Sequence, residues 1–195
     1  MDTKNLLLIV FYIVLASLPV FSQNGYVVKN FEMAVAGTST LHDWESEVTK
    51  VSADASLDIS GAQLEGINSL KVTVAAKGIV SSKGRIMDNK TYEALKADKF
   101  PSITFRLDKA VVNGSAVQAT GKLTIAGKTQ TVSLDATSKV DSAGNITFSG
   151  RKAIKMTDYG MDPPTALMGT VKTGDEVTIK YELTLKPSGE NTGTH

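Results

Sequence analysis

The sequence predicts an all-β fold, with eight antiparallel strands closed into a tall up-and-down barrel and one short helix between the third and fourth strands. Three observations carry that expectation. Apolar and polar residues alternate with period two through most of the chain, the mark of strands with one buried face. Many of these runs are about twice the usual strand length of roughly 5–6 residues. Twelve residues at ~3.3 Å each, tilted by ~40°, give a barrel wall of roughly 30 Å. Finally, one stretch, residues 86–105 (IMDNKTYEALKADKFPSITF), abandons the alternation for helical spacing.

The first strand covers residues 26–37, with Phe31, Met33 and Val35 on one face. Residues 38–44, TSTLHDW, read as a polar turn carrying one histidine and the only tryptophan. The second strand spans 48–60, where Val51, Ala53, Ala55, Leu57 and Ile59 oppose Ser52, Asp54, Ser56 and Asp58. The third, 70–79, sets Leu70, Val72, Val74 and Ala76 against Lys71, Thr73 and Lys77. In the helical stretch Met87, Tyr92, Leu95 and Phe100 are apolar, and Asp88 or Asn89 is available as N-cap. Pro101 stops the helix and feeds the strand 102–112, because a residue before proline is pushed to extended geometry.

Asn113-Gly114 predicts a type I′ hairpin into the strand 116–126, which carries Val117, Leu123 and Ile125. Gly127-Lys128 turns the chain into 129–140, with Val132, Leu134, Ala136 and Val140 on one face. After the turn 141–145, the strand 146–156 is crowded by Arg151, Lys152 and Lys155. Residues 157–173 are a long connection. Val177, Ile179, Tyr181, Leu183 and Leu185 line the last strand, 176–186, and 187–195 form a polar tail.

Residues 6–16, LLLIVFYIVLA, follow a short start bearing Lys4 and precede SLPVFSQ. This is the pattern of a secretory signal peptide, residues 1–22, cut before Gln23. The run falls short of the ~20 apolar residues that a spanning helix needs, so no integral membrane span is expected after processing. Export to the periplasm or exterior follows, with one barrel domain over 23–186. Lys4 and Asp2 leave together, so the net charge of +1 is unchanged and by itself gives no reason to expect a nucleic-acid or anionic-membrane partner. With no cysteine, disulfides and thiolate chemistry are excluded, and the fold rests on its core alone. An outer-membrane barrel is disfavoured: with the apolar faces turned to lipid, Asp, Lys, Arg and Glu would fill the lumen.

The inward faces mix large aliphatics with Ala53, Ala55, Ala76, Ala119, Gly121, Ala136 and Ser138. A barrel of this size either closes on its side chains or holds one ligand, and the residues alone leave both readings open. If it is hollow, the lining is aliphatic and aromatic, which suits a hydrocarbon tail. Met87, Met156, Met161 and Met168 lie in or beside the two irregular segments, where flexible thioethers suit either an adaptable rim or ordinary core filling.

Four motifs resemble those of the YceI-like family of secreted lipid- or polyisoprenoid-binding proteins. They are Met87-Asp88 followed by KFPSITF at 99–105; GKLTIAGKT at 121–129; Asp158-Tyr159-Gly160-Met161; and Gly174-Asp175-Glu176-Val177. The resemblance runs from about Tyr26 to Leu185. It implies a barrel of lipocalin type around an elongated tunnel for an isoprenoid chain. His42-Asp43-Trp44 resembles the family's early His element, whereas NKTYEAL at 89–95 lacks the histidine that many members carry there.

Chemistry is sparse. His42 is the only histidine outside the tail, so it supplies one imidazole ligand at most and makes no metal site. No G-x-S-x-G elbow or glycine-rich phosphate loop is present, and no cofactor is expected. The expected function is an exported, non-enzymatic carrier of a polyisoprenoid or similar long-chain lipid. Its tunnel and lid are assigned to Trp44, Leu57, Val74, Met87, Tyr92, Leu95, Phe100, Phe105, Leu123, Leu134, Tyr159, Met161 and Ile179, with head-group contacts from His42 and Arg151. Two rivals stand beside it: a structural or partner-binding barrel with a filled interior, and an enzyme using Tyr159, Asp158 or His42 on a lipid-like substrate. Homodimerisation is left open.

Overall fold

The computed structural model describes residues 25–189. The expected signal peptide and the last residues of the tail lie outside that range. Eight long antiparallel strands form a closed barrel: β1 (Gly25–Ser39), β3 (Val51–Ser60), β4 (Gln63–Ala75), β6 (Ser102–Asn113), β7 (Ala116–Ile125), β8 (Lys128–Val140), β9 (Ile146–Lys155) and β11 (Val171–Pro187). Closure comes from β1 pairing with β11, from Tyr26 opposite Pro187 to Ser39 opposite Thr173. The helix α1 (Arg85–Ala94) lies between β4 and β6, the third and fourth barrel strands.

Three short strands were not anticipated: β2 (Trp44–Val48), β5 (Ile79–Ser81) and β10 (Thr165–Ala166). The first two continue barrel strands across kinks. β2 runs into β3 through Thr49 and Lys50, and β4 runs into β5 through the 3-10 turn Ala76–Gly78. The kinks are tied together by Thr49 N donating to Gly78 O and Ala75 N donating to Lys50 O. Residues 44–48, part of which was read as a polar turn, therefore form wall that pairs with β1 and β5. β10 adds a two-residue hairpin arm to β11 within the long connection, and β11 itself begins at Val171, earlier than expected.

The turns differ in detail from expectation. β6 ends on Asn113 itself, and only Gly114 of the two turn residues has positive φ (59°), which is the II′ rather than the I′ pattern. The I′ pattern occurs instead at Ala126-Gly127, with φ of 48° and 79°. Glycine is required at 127 for a second reason, since a Cβ there would run into the Phe100 ring.

α1 is capped by backbone geometry. Its N-cap is Gly84, without a side-chain cap, so neither Asp88 nor Asn89 plays that role. Asp88 Oδ1 instead accepts the Ser81 N–H at 2.7 Å and fastens the helix to β5. The far end closes before Pro101 in a Schellman arrangement: Lys96 is left-handed (φ 51°), Ala97 N donates to Tyr92 O, and Lys96 N to Glu93 O.

The apolar interior divides into two clusters. One end of the barrel is packed by Tyr26, Ala55, Leu57, Leu64, Val117, Ile146, Phe148, Leu183 and Leu185. Ile146 and Leu185 are fully buried and Leu57 is 2% exposed. The other cluster surrounds the end covered by α1. At that end the wall also splits. β8 pairs with β9 only from Ala136–Val140 to Ile146–Gly150, although β8 stays paired with β7 down to Lys128. β8 is tied instead to the 3-10 turn that follows β9, by Gln130 Nε2 donating to Asp158 O at 2.9 Å.

Candidate functional site

At the α1 end lies a cavity of about 410 Å³. Its wall is aliphatic: Val35 from β1, Ile103 from β6, Ile125 from β7, Ile154 from β9, and Val177 and Ile179 from β11. Each sits there because period-two alternation turns it inward. The roof is Met87, Thr91, Ala94 and Leu95 from α1 and the turn after it, with Met161 and Pro164 from the long connection. The polar groups of the lining are the hydroxyls of Ser39, Ser46, Ser81, Thr91, Thr165 and Thr173, with His42, Lys83 and Lys90. The volume falls within the ~300–1,000 Å³ of small-molecule sites.

The family motifs meet around this end. Phe100 lies over Gly127, and Lys96 Nζ donates to Gly160 O at 3.0 Å. Asp175 is a staple that the sequence reading missed. Its carboxylate accepts the Thr157 N–H at 2.9 Å and the Thr157 hydroxyl at 2.6 Å, while Met156 N donates to its backbone carbonyl. These bonds, the Thr157 hydroxyl foremost, hold the Asp175 carboxyl below its ordinary pKa. The turn they hold, Thr157–Tyr159, fixes the buried Tyr159 beside the cavity and leads directly into Met161. The one available signal was the Gly174-Asp175 motif itself.

Of the residues assigned in advance, Trp44, Met87, Leu95, Met161, Ile179 and His42 line the cavity. Trp44 is held there by Nε1 donating to Thr38 O at 3.1 Å, with its ring against Gly37, where a Cβ would meet it at 2.5 Å. The others are elsewhere. Val74, Phe105, Leu123 and Tyr159 are buried in the surrounding core, and Leu134 and Tyr92 pack against it. Tyr92 faces the outside of the lid and donates its hydroxyl to Lys77 O at 3.0 Å. Phe100 supports the turn, and Leu57 belongs to the packed far end. Arg151 is exposed on the outer face of β9; Lys152, half-buried, is the one on the face of Ile154 and opposite Ile179.

Midway down the barrel, Tyr181 crosses above Gly150, whose Cβ would lie 2.5 Å from the phenol oxygen, and burial pushes the phenol pKa up. Ser39, close to His42 in the chain, donates its hydroxyl to the His42 backbone carbonyl at 2.7 Å. Among the described residues no group of three or more His, Asp or Glu side chains could hold a metal ion, and no helix is long and apolar enough to cross a membrane.

Comparison with known proteins places the architecture. The structure resembles that of Burkholderia cenocepacia BcnA at a TM-score of 0.65 and 23% identity, covering 79% of this chain and 95% of that one. A polyisoprenoid-binding domain from Saccharophagus degradans, implicated in plant cell wall breakdown, matches at a TM-score of 0.61 and 10% identity, over 83% of this chain and 98% of that one. The Campylobacter jejuni YCEI protein matches at 0.54 and 25% identity, over 70% of this chain and 83% of that one. A search of curated protein sequences finds no match. A family model, the YceI-like domain, matches residues 24–185, which is nearly all of the described barrel. The chain belongs to the YceI-like domain family.

Proposed function

We propose that the protein is an exported, non-enzymatic carrier that holds a polyisoprenoid or similar long-chain lipid by its tail. The observation that carries this reading is the aliphatic cavity of about 410 Å³ beneath α1. Family membership and the polyisoprenoid-binding neighbour support it, and the apolar N-terminal run supports export. The tail lies against Ile179, Met161, Leu95, Met87 and Trp44, and a polar head stays at the mouth near His42. At ~25 cal/mol per Å², a five-carbon unit burying roughly 100 Å² gains about 2.5 kcal/mol before ordering costs. Affinity therefore comes from buried area, without a specific polar contact.

Native mass spectrometry with farnesol and geranylgeraniol tests the reading. The expected result is added mass on the wild type and a smaller fraction of loaded protein for Ile179→Trp, whose indole takes up part of the cavity. Failure of both alcohols and of native-source lipid extracts to add mass overturns it.

A further inference from the structure

Large apolar side chains exposed to water are informative when they cluster. Among the described residues these are Leu41 (69% exposed), Ile86 (77%), Met168 (106%) and Val111 (61%). Val111 lies toward the packed end of the barrel, near the β6–β7 turn. The other three surround the cavity mouth from three separate segments. Leu41 lines the opening itself. Ile86 is in the first turn of α1, beside Met87 of the roof. Met168 is at the tip between β10 and β11, whose arms Thr165 and Val171 line the cavity. That tip is joined to the Leu41 segment by Thr40 N donating to Lys172 O at 3.0 Å and Lys172 N donating to Thr40 Oγ1 at 3.2 Å.

Cations stand among these side chains: Lys83 and Lys90 at the opening, Arg85 at the start of α1, and Lys172 at the base of the Met168 tip. The acidic groups of the same segments include Asp43, Glu45, Asp88 and Asp162; Glu45 is already paired with Lys180, and Asp88 accepts the Ser81 N–H.

We propose that the cavity mouth docks on the surface of a phospholipid bilayer containing anionic lipid. Ile86, Met168 and Leu41 enter the acyl boundary, and Lys83, Arg85, Lys90 and Lys172 meet the head groups. The occupant is a bilayer because the exposed patch belongs to the segments that line the opening into an apolar cavity. Where that opening abuts a bilayer, an apolar tail passes from membrane to barrel without crossing water. This rests on the carrier reading above and adds where the protein acquires its ligand.

The test is flotation of the protein, purified as its host processes it, with vesicles of phosphatidylcholine alone or mixed with phosphatidylglycerol. Ligand uptake is measured separately from a cyclodextrin complex of farnesol, without vesicles. The expected result is co-flotation that strengthens with phosphatidylglycerol and weakens about tenfold or more in the double variant Ile86→Ser, Met168→Ser. Val111→Ser leaves it unchanged, and cyclodextrin uptake is unaffected in both variants. Arg85→Gln with Lys172→Gln removes the phosphatidylglycerol dependence. If the wild type takes up farnesol but does not float, docking is overturned and the carrier reading stands. Equal flotation of wild type and the double variant also overturns docking, because the attachment then lies elsewhere. Flotation without any farnesol uptake overturns the carrier reading instead.

Discussion

The two ends of this barrel are built from the same alternating strands and differ in almost everything else. At the packed end the turns are short and Ile146 and Leu185 are fully buried, although β4 and β6 pair only over Lys71–Ala75 and Ser102–Arg106 and part toward this end. The turn after β8 is knitted by Asn145 Nδ2 donating to Asp141 Oδ2 at 2.7 Å, with the Asp141 carboxyl held below its ordinary pKa by Asn145. At the cavity end the strands kink at Thr49-Lys50 and Ala76–Gly78, β8 parts from β9, and the opening is covered by a helix with no fully buried residue. Close packing supplies stability, and leaving space forfeits it. The difference teaches that one end holds the fold and the other is free to hold a ligand.

The largest expected effect sharpens that contrast. Leu57→Ala at the packed end removes a side chain with partners on every side and costs about 3 kcal/mol of unfolding free energy. Ile179→Ala at the cavity end removes one that already faces space, and costs about 1 kcal/mol or less. Equal losses in urea unfolding would break the distinction between the ends. The packed-end loss is the same with or without farnesol. At the cavity end farnesol should widen the gap between wild type and variant, because the variant has less wall to offer a ligand.

Hydrogen exchange is next in size. Amides of β8 between Thr129 and Asp135 that point toward β9 have no ladder partner there, whereas β7 is paired on both sides. They are expected to exchange about tenfold or more faster than β7 amides, with α1 faster still. Uniform protection around the barrel would mean that the wall is continuous and the lid is fixed.

Much of this was legible in the residues, and the gaps have physical causes. Period two identifies the inward face of a strand, so Val35, Ile103, Ile125 and Ile179 were readable as interior, whereas Ile154 lay in a strand whose alternation is broken by Lys152. It does not give height along the barrel axis. Height depends on register and on irregularities such as the shifts in β3–β4 pairing between Ser56 and Leu57 and between Asp58 and Ile59. For that reason Leu57 was assigned to a tunnel and lies in the packed end. β2 was hidden because its central inward residue is Ser46, a buried hydroxyl in place of an aliphatic. The start of β11 was hidden because Thr173-Gly174-Asp175 reads as a loop. Phe100 and Tyr92 share the lid's apolar character but support it from outside the cavity.

The smallest effect concerns the staple behind the mouth. Because the folded-state pKa of Asp175 is lowered, its stabilising contribution is present above the ordinary carboxylate range and is lost as pH falls through the folded value. Acid therefore loosens the Thr157–Tyr159 turn before the packed end responds to Asp175. The amide signal of Thr157 is expected to report that loosening below about pH 4, and Thr157→Val to weaken its pH dependence. A Thr157 signal that moves only with global unfolding would separate the staple from the cavity end.

The most direct measurement is binding affinity along the series geraniol, farnesol, geranylgeraniol and solanesol. A hollow end backed by a packed one predicts affinity rising about tenfold per added unit while the cavity fills, and then a plateau. No binding at any length, or affinity that continues to climb through solanesol, would contradict it.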